Sequence, residues 1–145
     1  MQISGSYQFD ASAIKVWESL LDPTVIAGCI PGCDGFDSTG DQQYQTTVNV
    51  NLGPINGRYT AKLAFLDQQP HQSFTLSIEV SGPAGSARGK PSVTLTEQAD
   101  QTTVQVVGDV QVGGVAAMMG PALLGNAAQS LLNRFFGCLR ESVEQ

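Results

Sequence analysis

Three cysteines, one histidine and a thin scatter of carboxylates are the side chains with the most chemical capacity in this sequence. Cys29 and Cys33 flank Ile30-Pro31-Gly32, a Cys-x3-Cys spacing. Redox dithiols and zinc half-sites use a shorter Cys-x2-Cys loop. Adding Cys138 gives at most three thiolates, short of a four-ligand structural zinc site. The three thiols are therefore read as small buried hydrophobes. The odd, sparse count does not suit a secreted disulfide scaffold, so reduced thiols are the default. His71 is the sole histidine and sits in the turn Asp67-Gln68-Gln69-Pro70-His71. That leaves neither a His-based metal cluster nor a Ser-His-Asp triad. Gly85-Ser86-Ala87-Arg88-Gly89-Lys90 matches neither a dinucleotide fingerprint nor a Walker loop. No pair of carboxylates is placed for acid–base work. The expectation is no catalytic residue, no metal and no cofactor.

The composition narrows the classes further. Seven Lys and Arg stand against thirteen Asp and Glu, a net charge of −6, which opposes nucleic-acid binding. The 145 residues are 41% hydrophobic, enough for one core, so residues 1–145 are read as a single domain. The start of the chain has neither a basic cluster nor an apolar run, so no signal peptide is expected. Residues 110–133 carry no charge, but four glycines, a proline and several amides make them a poor membrane span.

Periodicity supplies the elements. Ile3, Gly5, Tyr7 and Phe9 alternate with polar residues, as in a half-buried strand. Asp10 can cap a helix carrying Ala13, Val16, Trp17, Leu20 and Leu21 on one stripe. Trp17 falls on that stripe and is expected in the core. Pro23 suits the first turn of a second short helix reaching about Cys29. Strands then follow at 34–39, 43–52, 58–67, 72–81, 87–97 and 102–112, each with one apolar and one polar face. After Gly113-Gly114 the period becomes helical, through Leu124, Ala128, Leu131, Phe135 and Cys138. Pro121 should kink that helix or begin it afresh. The class is α+β: a curved antiparallel sheet of about seven strands around a long C-terminal helix, with two short helices after the first strand.

In such a meander, alternate turns share one end of the sheet. Residues 38–42, 67–71 and 97–101 are polar and acidic. Residues 53–57, 81–86 and 112–120 have no charge and many glycines. The first set reads as a solvated base and the second as a mobile apolar mouth, with Ile55, Pro83, Met118 and Met119 around it. On the outer sheet face, parity places Arg58, Lys62, Arg88 and Lys90. They are a candidate patch for an acidic protein, or simply a solvated face shared with Glu79.

The order of elements resembles the helix-grip fold of the START-like superfamily, which includes polyketide cyclases. Asp10-Ala11 to Trp17-Glu18, Leu21-Asp22-Pro23 and Cys29-Ile30-Pro31-Gly32-Cys33 resemble the G-subunit family of carbon monoxide dehydrogenase. Leu52 to Gly57, Ser81 to Gly89, Val112-Gly113-Gly114 and Met119-Gly120 follow that family's later motifs in order. The resemblance implies an accessory factor serving molybdenum hydroxylases of the carbon monoxide dehydrogenase type. It also implies a cavity for an apolar molecule between sheet and helix, and recruitment at the membrane. Some members carry a further C-terminal tail suited to membrane attachment. Here the sequence stops at Glu144-Gln145, so reversible contact through the mouth is expected instead.

The expected protein is a non-catalytic, lipid- or quinone-binding accessory factor, cytoplasmic and peripheral at the inner membrane face. Its partners would be an apolar small molecule and molybdenum hydroxylase subunits. On β-strand parity and helical spacing, the cavity walls are Val48, Val50, Leu52, Tyr59 and Leu63, then Phe74, Ile78, Leu124, Ala128 and Leu131. The alternatives are a cyclase- or dehydratase-like enzyme using the same cavity, and an adaptor whose interior is filled.

Overall fold

The structure is a computed structural model that describes residues 1–52 and 55–144, without the side chains of Leu52 and Pro121. Eight antiparallel strands form one sheet. The elements run β1 (Gln2–Phe9), α1 (Ala13–Leu20), α2 (Pro23–Cys29), β2 (Cys33–Gly40), β3 (Gln43–Leu52) and β4 (Ile55–Gln69). They continue with β5 (Ser73–Gly82), β6 (Gly85–Gly89), β7 (Ser92–Gln98) and β8 (Gln101–Gly113). A 3₁₀ turn over Gly114–Met118 then leads into α3 (Pro121–Val143). The strand order is β1-β8-β6-β5-β4-β3-β2, with β7 also bridging β5 and β8. This is the expected helix-grip architecture. The uncharged loop at Gly53-Pro54 lies outside the described residues.

The alternation seen in the sequence is realised on the sheet. Tyr59, Ala61, Leu63 and Phe65 point inward from β4 and are buried, while Arg58 and Lys62 are exposed. One difference concerns the strand expected over 87–97. It is two strands, β6 and β7, broken at Lys90-Pro91. Proline has no N–H for the ladder, so pairing stops there and resumes at Ser92. Pro91 is buried, and Gly108 of β8 passes directly over it. A Cβ at Gly108 would lie 2.5 Å from Pro91 Cα, so only glycine permits that approach.

The helix starts follow local hydrogen-bond chemistry. Ser12, not Asp10, caps α1: its Oγ accepts from the Lys15 N–H at 3.3 Å. Asp10 accepts instead from the Gln101 side-chain amide at 2.8 Å. Asp22 caps α2 by accepting from the Thr24 N–H at 2.9 Å, with Pro23 in the first turn. Pro121 opens α3 rather than kinking it.

The core lies towards the polar-turn end of the sheet. Phe9, Val16, Val104, Leu139 and Val143 are fully buried there. Trp17 joins them edge-on to Phe74, with ring centroids 5.6 Å apart. The cysteines correct the expectation of reduced thiols. Cys29 and Cys138 form a disulfide with Cα atoms 5.4 Å apart, joining α2 to α3. Residues 109 positions apart meet because α2 packs on α3, a tertiary proximity that spacing does not reveal. Cys33 remains a half-buried free thiol beside the Thr46 hydroxyl, 3.0 Å away.

Candidate functional site

Between the inner sheet face and α3 lies an apolar cavity of about 420 Å³. Strand parity builds one wall. Val48 and Val50 of β3, Tyr59 and Leu63 of β4, and Phe74 and Ile78 of β5 all face it. The helix builds the other wall, where Leu124, Ala128 and Leu131 recur at four- and three-residue steps and so share a face. Ile55 lines the cavity at its mouth. The structure thus brings together the inward residues that parity and spacing select. The Leu52 side chain lies outside the described residues.

Three expected mouth residues take other positions. Pro83 and Met118 are exposed and Met119 is half-buried; none is among the lining residues. Ala84 and Ala116 face inward in their place. The 3₁₀ turn causes this: it turns Ala116 in and leaves Val115 62% and Met118 87% exposed. Leu123, at the start of α3, is also exposed.

Other lining residues come from elements not assigned to the site in the sequence. Ile26 and Ile30, four apart at and just beyond α2, contribute to the lining, with Pro31 after them. From the far edge of the sheet, Ile3, Val106, Val110 and Val112 face the cavity. The parity of β1 and β8 already marked these positions as inward, and the i, i+4 spacing of Ile26 and Ile30 was the usable signal in α2.

The chemistry of the lining is sparse. Thr46 is buried, and its hydroxyl donates to the Gly35 carbonyl. The Tyr59 hydroxyl accepts from the Ala84 N–H at 3.2 Å. Tyr59 is the one titratable side chain among the described lining residues. No cluster of metal-binding side chains occurs among the described residues. His71 lies away from the cavity in an exposed turn, edge-on to Trp17 at 6.1 Å. The one phenol pushed up from its ordinary value, Tyr7, also lies outside the cavity. Burial raises it, and a hydrogen bond from Gln129 partly offsets that.

The outer sheet face carries a separate shallow hollow flanked by Lys62, Glu79 and Arg88. These three are cross-strand neighbours in one row, continued by Gln111. Arg58 is held by Asp34 at 3.1 Å, and Arg88 donates to the Gln111 side chain at 3.3 Å. The basic residues thus share their face with acidic and amide partners.

A curved antiparallel sheet closed by a long C-terminal helix over an apolar cavity defines the START-like, helix-grip class. The chain belongs to the carbon monoxide dehydrogenase G-subunit (CoxG) family, whose model matches residues 5–144. A comparison with curated proteins finds no match. Among solved structures, a conserved protein from Geobacillus kaustophilus superposes with TM-score 0.95 at 24% identity, covering 99% of this chain and 95% of that one. A START superfamily protein from Mycobacterium smegmatis gives TM-score 0.77 at 16% identity, covering 99% and 97%. The Zhui aromatase/cyclase from Streptomyces sp. R1128 gives 0.68 at 16%, covering 99% and 93%. At these identities the likeness concerns the fold.

Proposed function

We propose that this protein is a non-catalytic accessory factor that holds an apolar, lipid- or quinone-like molecule in the cavity between sheet and α3. The observation that carries this reading is an apolar cavity of about 420 Å³ in which Tyr59 is the one titratable side chain among the described lining residues, the Met1 ammonium being engaged by the Val110 carbonyl at 2.9 Å. Such a lining rewards apolar surface and offers no acid–base pair for turnover. The family supports a role beside a molybdenum hydroxylase of the carbon monoxide dehydrogenase type. Exposed Val115, Met118 and Leu123, on the segment that also carries the lining residues Ala116 and Leu124, support reversible contact with a membrane, from which such a molecule would come. No helix among the described residues is long and apolar enough to cross a bilayer, so that contact is peripheral in this reading.

Native mass spectrometry after gentle extraction tests the proposal. One apolar molecule per chain, or its uptake from a mixture of quinones and lipids, is the expected result. A protein that stays empty under both conditions would overturn the carrier reading and favour a plain adaptor.

A further inference from the structure

The cavity is asymmetric along α3. At the mouth it is bounded by Ile55, Ala84 and Leu124, and at the closed end by Leu20, Phe74 and Phe136. Leu124 and Phe136 are twelve helical steps apart, which is about 18 Å. That length, lined on both sides by apolar residues, suits an elongated molecule lying along α3.

Polar capacity is just as uneven. The closed end offers aromatic and aliphatic surface alone. Deeper in the cavity, the Thr46 hydroxyl is already committed to the Gly35 carbonyl. Tyr59 differs. It is 6% exposed, its ring covers Gly82, and its hydroxyl lies at the β5–β6 hairpin, accepting from Ala84. No acceptor for its own proton occurs among the described residues. A polar head driven to the closed end would lose its hydration with no partner there, whereas a head at the mouth keeps water and gains the Tyr59 donor.

Resting on the carrier reading above, we infer that the cavity takes a single-chain amphiphile tail first. The polar head stays at the mouth with an acceptor oxygen on the Tyr59 hydroxyl. A head so placed faces outward, where a partner can act on it without the ligand leaving.

The one tryptophan reports on this arrangement, because Trp17 packs on Phe74 at the closed end. The probes are hexadecanoic acid brominated at the terminal carbon and the same acid brominated beside the carboxylate. Uptake of each is counted by native mass spectrometry. The expected result is loss of Trp17 emission with the terminal bromine and little loss with the other. Equal or reversed quenching, with both probes bound, would overturn the orientation and leave the carrier reading intact. No uptake of either acid, with quinones or lipids still taken up, would overturn the single-chain inference alone. No uptake of any apolar molecule would overturn both. Tyr59→Phe should weaken the acid about fivefold, the value of one hydrogen bond, and leave an alkane of equal length unchanged. Equal weakening of both would remove Tyr59 from the head site.

Discussion

The two ends of this sheet are built from the same strands and differ in almost everything else. At the base, Phe9, Val104, Leu139 and Val143 pack with no exposed surface. Towards the mouth, Tyr59, Ala61, Leu63 and Val110 are also buried, at 6–8% exposure, yet they border the cavity. The turns differ too. The base turns place Gln42, Asp67, His71, Ala99 and Asp100 in the left-handed region, a conformation costly for such residues. At the mouth that region goes to glycine, as at Gly85 with φ +130°. A Cβ there would collide with the Gly113 carbonyl of β8. At Gly85, then, the glycine serves a close approach of two backbones. Burial and close packing are separate properties: the base has both, and the cavity half has burial alone.

Truncation should separate those properties most sharply. Leu139→Ala is expected to cost about 4 kcal/mol, read by denaturant unfolding, because a filled site becomes a void. Leu131→Ala should cost about half that, since its side chain already lacks neighbours on the cavity side. Equal losses would mean that the mouth half collapses onto α3 in solution. Gly85→Ala comes next, at about 3 kcal/mol from strain and overlap combined. A neutral result would show that the mouth backbone is free to move apart.

Removing the Cys29–Cys138 disulfide with paired Ala substitutions should cost about 2.5 kcal/mol, because the cross-link closes a long loop. The check is a lower thermal midpoint, reproduced in the native chain by a dithiol reductant. At the base, Asp100→Gly should gain about 0.5–1 kcal/mol by relieving a φ of +67°. The smallest effect is electrostatic. Tyr7 has a raised value in the fold, so its contribution is complete below about pH 10 and is lost as pH rises through the folded value. Tyr7→Phe should flatten the alkaline limb of a stability–pH profile.

Most of the strands were legible because one face is wet and the other dry, a contrast written residue by residue in β4 and β5. The same parity selected the inward residues of the cavity, from Val48 to Ile78. What parity could not say is whether those residues touch one another, since a filled and a hollow interior demand the same alternation. The Cys29–Cys138 pairing was hidden for a related reason: it depends on how α2 meets α3, not on spacing. Asp10 and Ser12 are both good caps, and competition from Gln101 for Asp10 decided between them. Met118 and Met119 looked like mouth residues because they lie in an uncharged turn and methionine adapts to apolar shapes, but the 3₁₀ turn over Gly114–Met118 presents Ala116 to the cavity instead. Pro91 was visible in the sequence, but its effect lay in the strand passing across it.

That proline has a bearing on how the sheet keeps its alignment. The register is the same on both sides of it: Gly89 faces Ile78 and Val110, and Ser92 faces Thr75 and Val107. Pro91 therefore interrupts the ladder without moving any side chain to the other face. One residue added or removed at that gap would instead turn Val93 and Leu95 from the core to solvent, while every strand kept its composition.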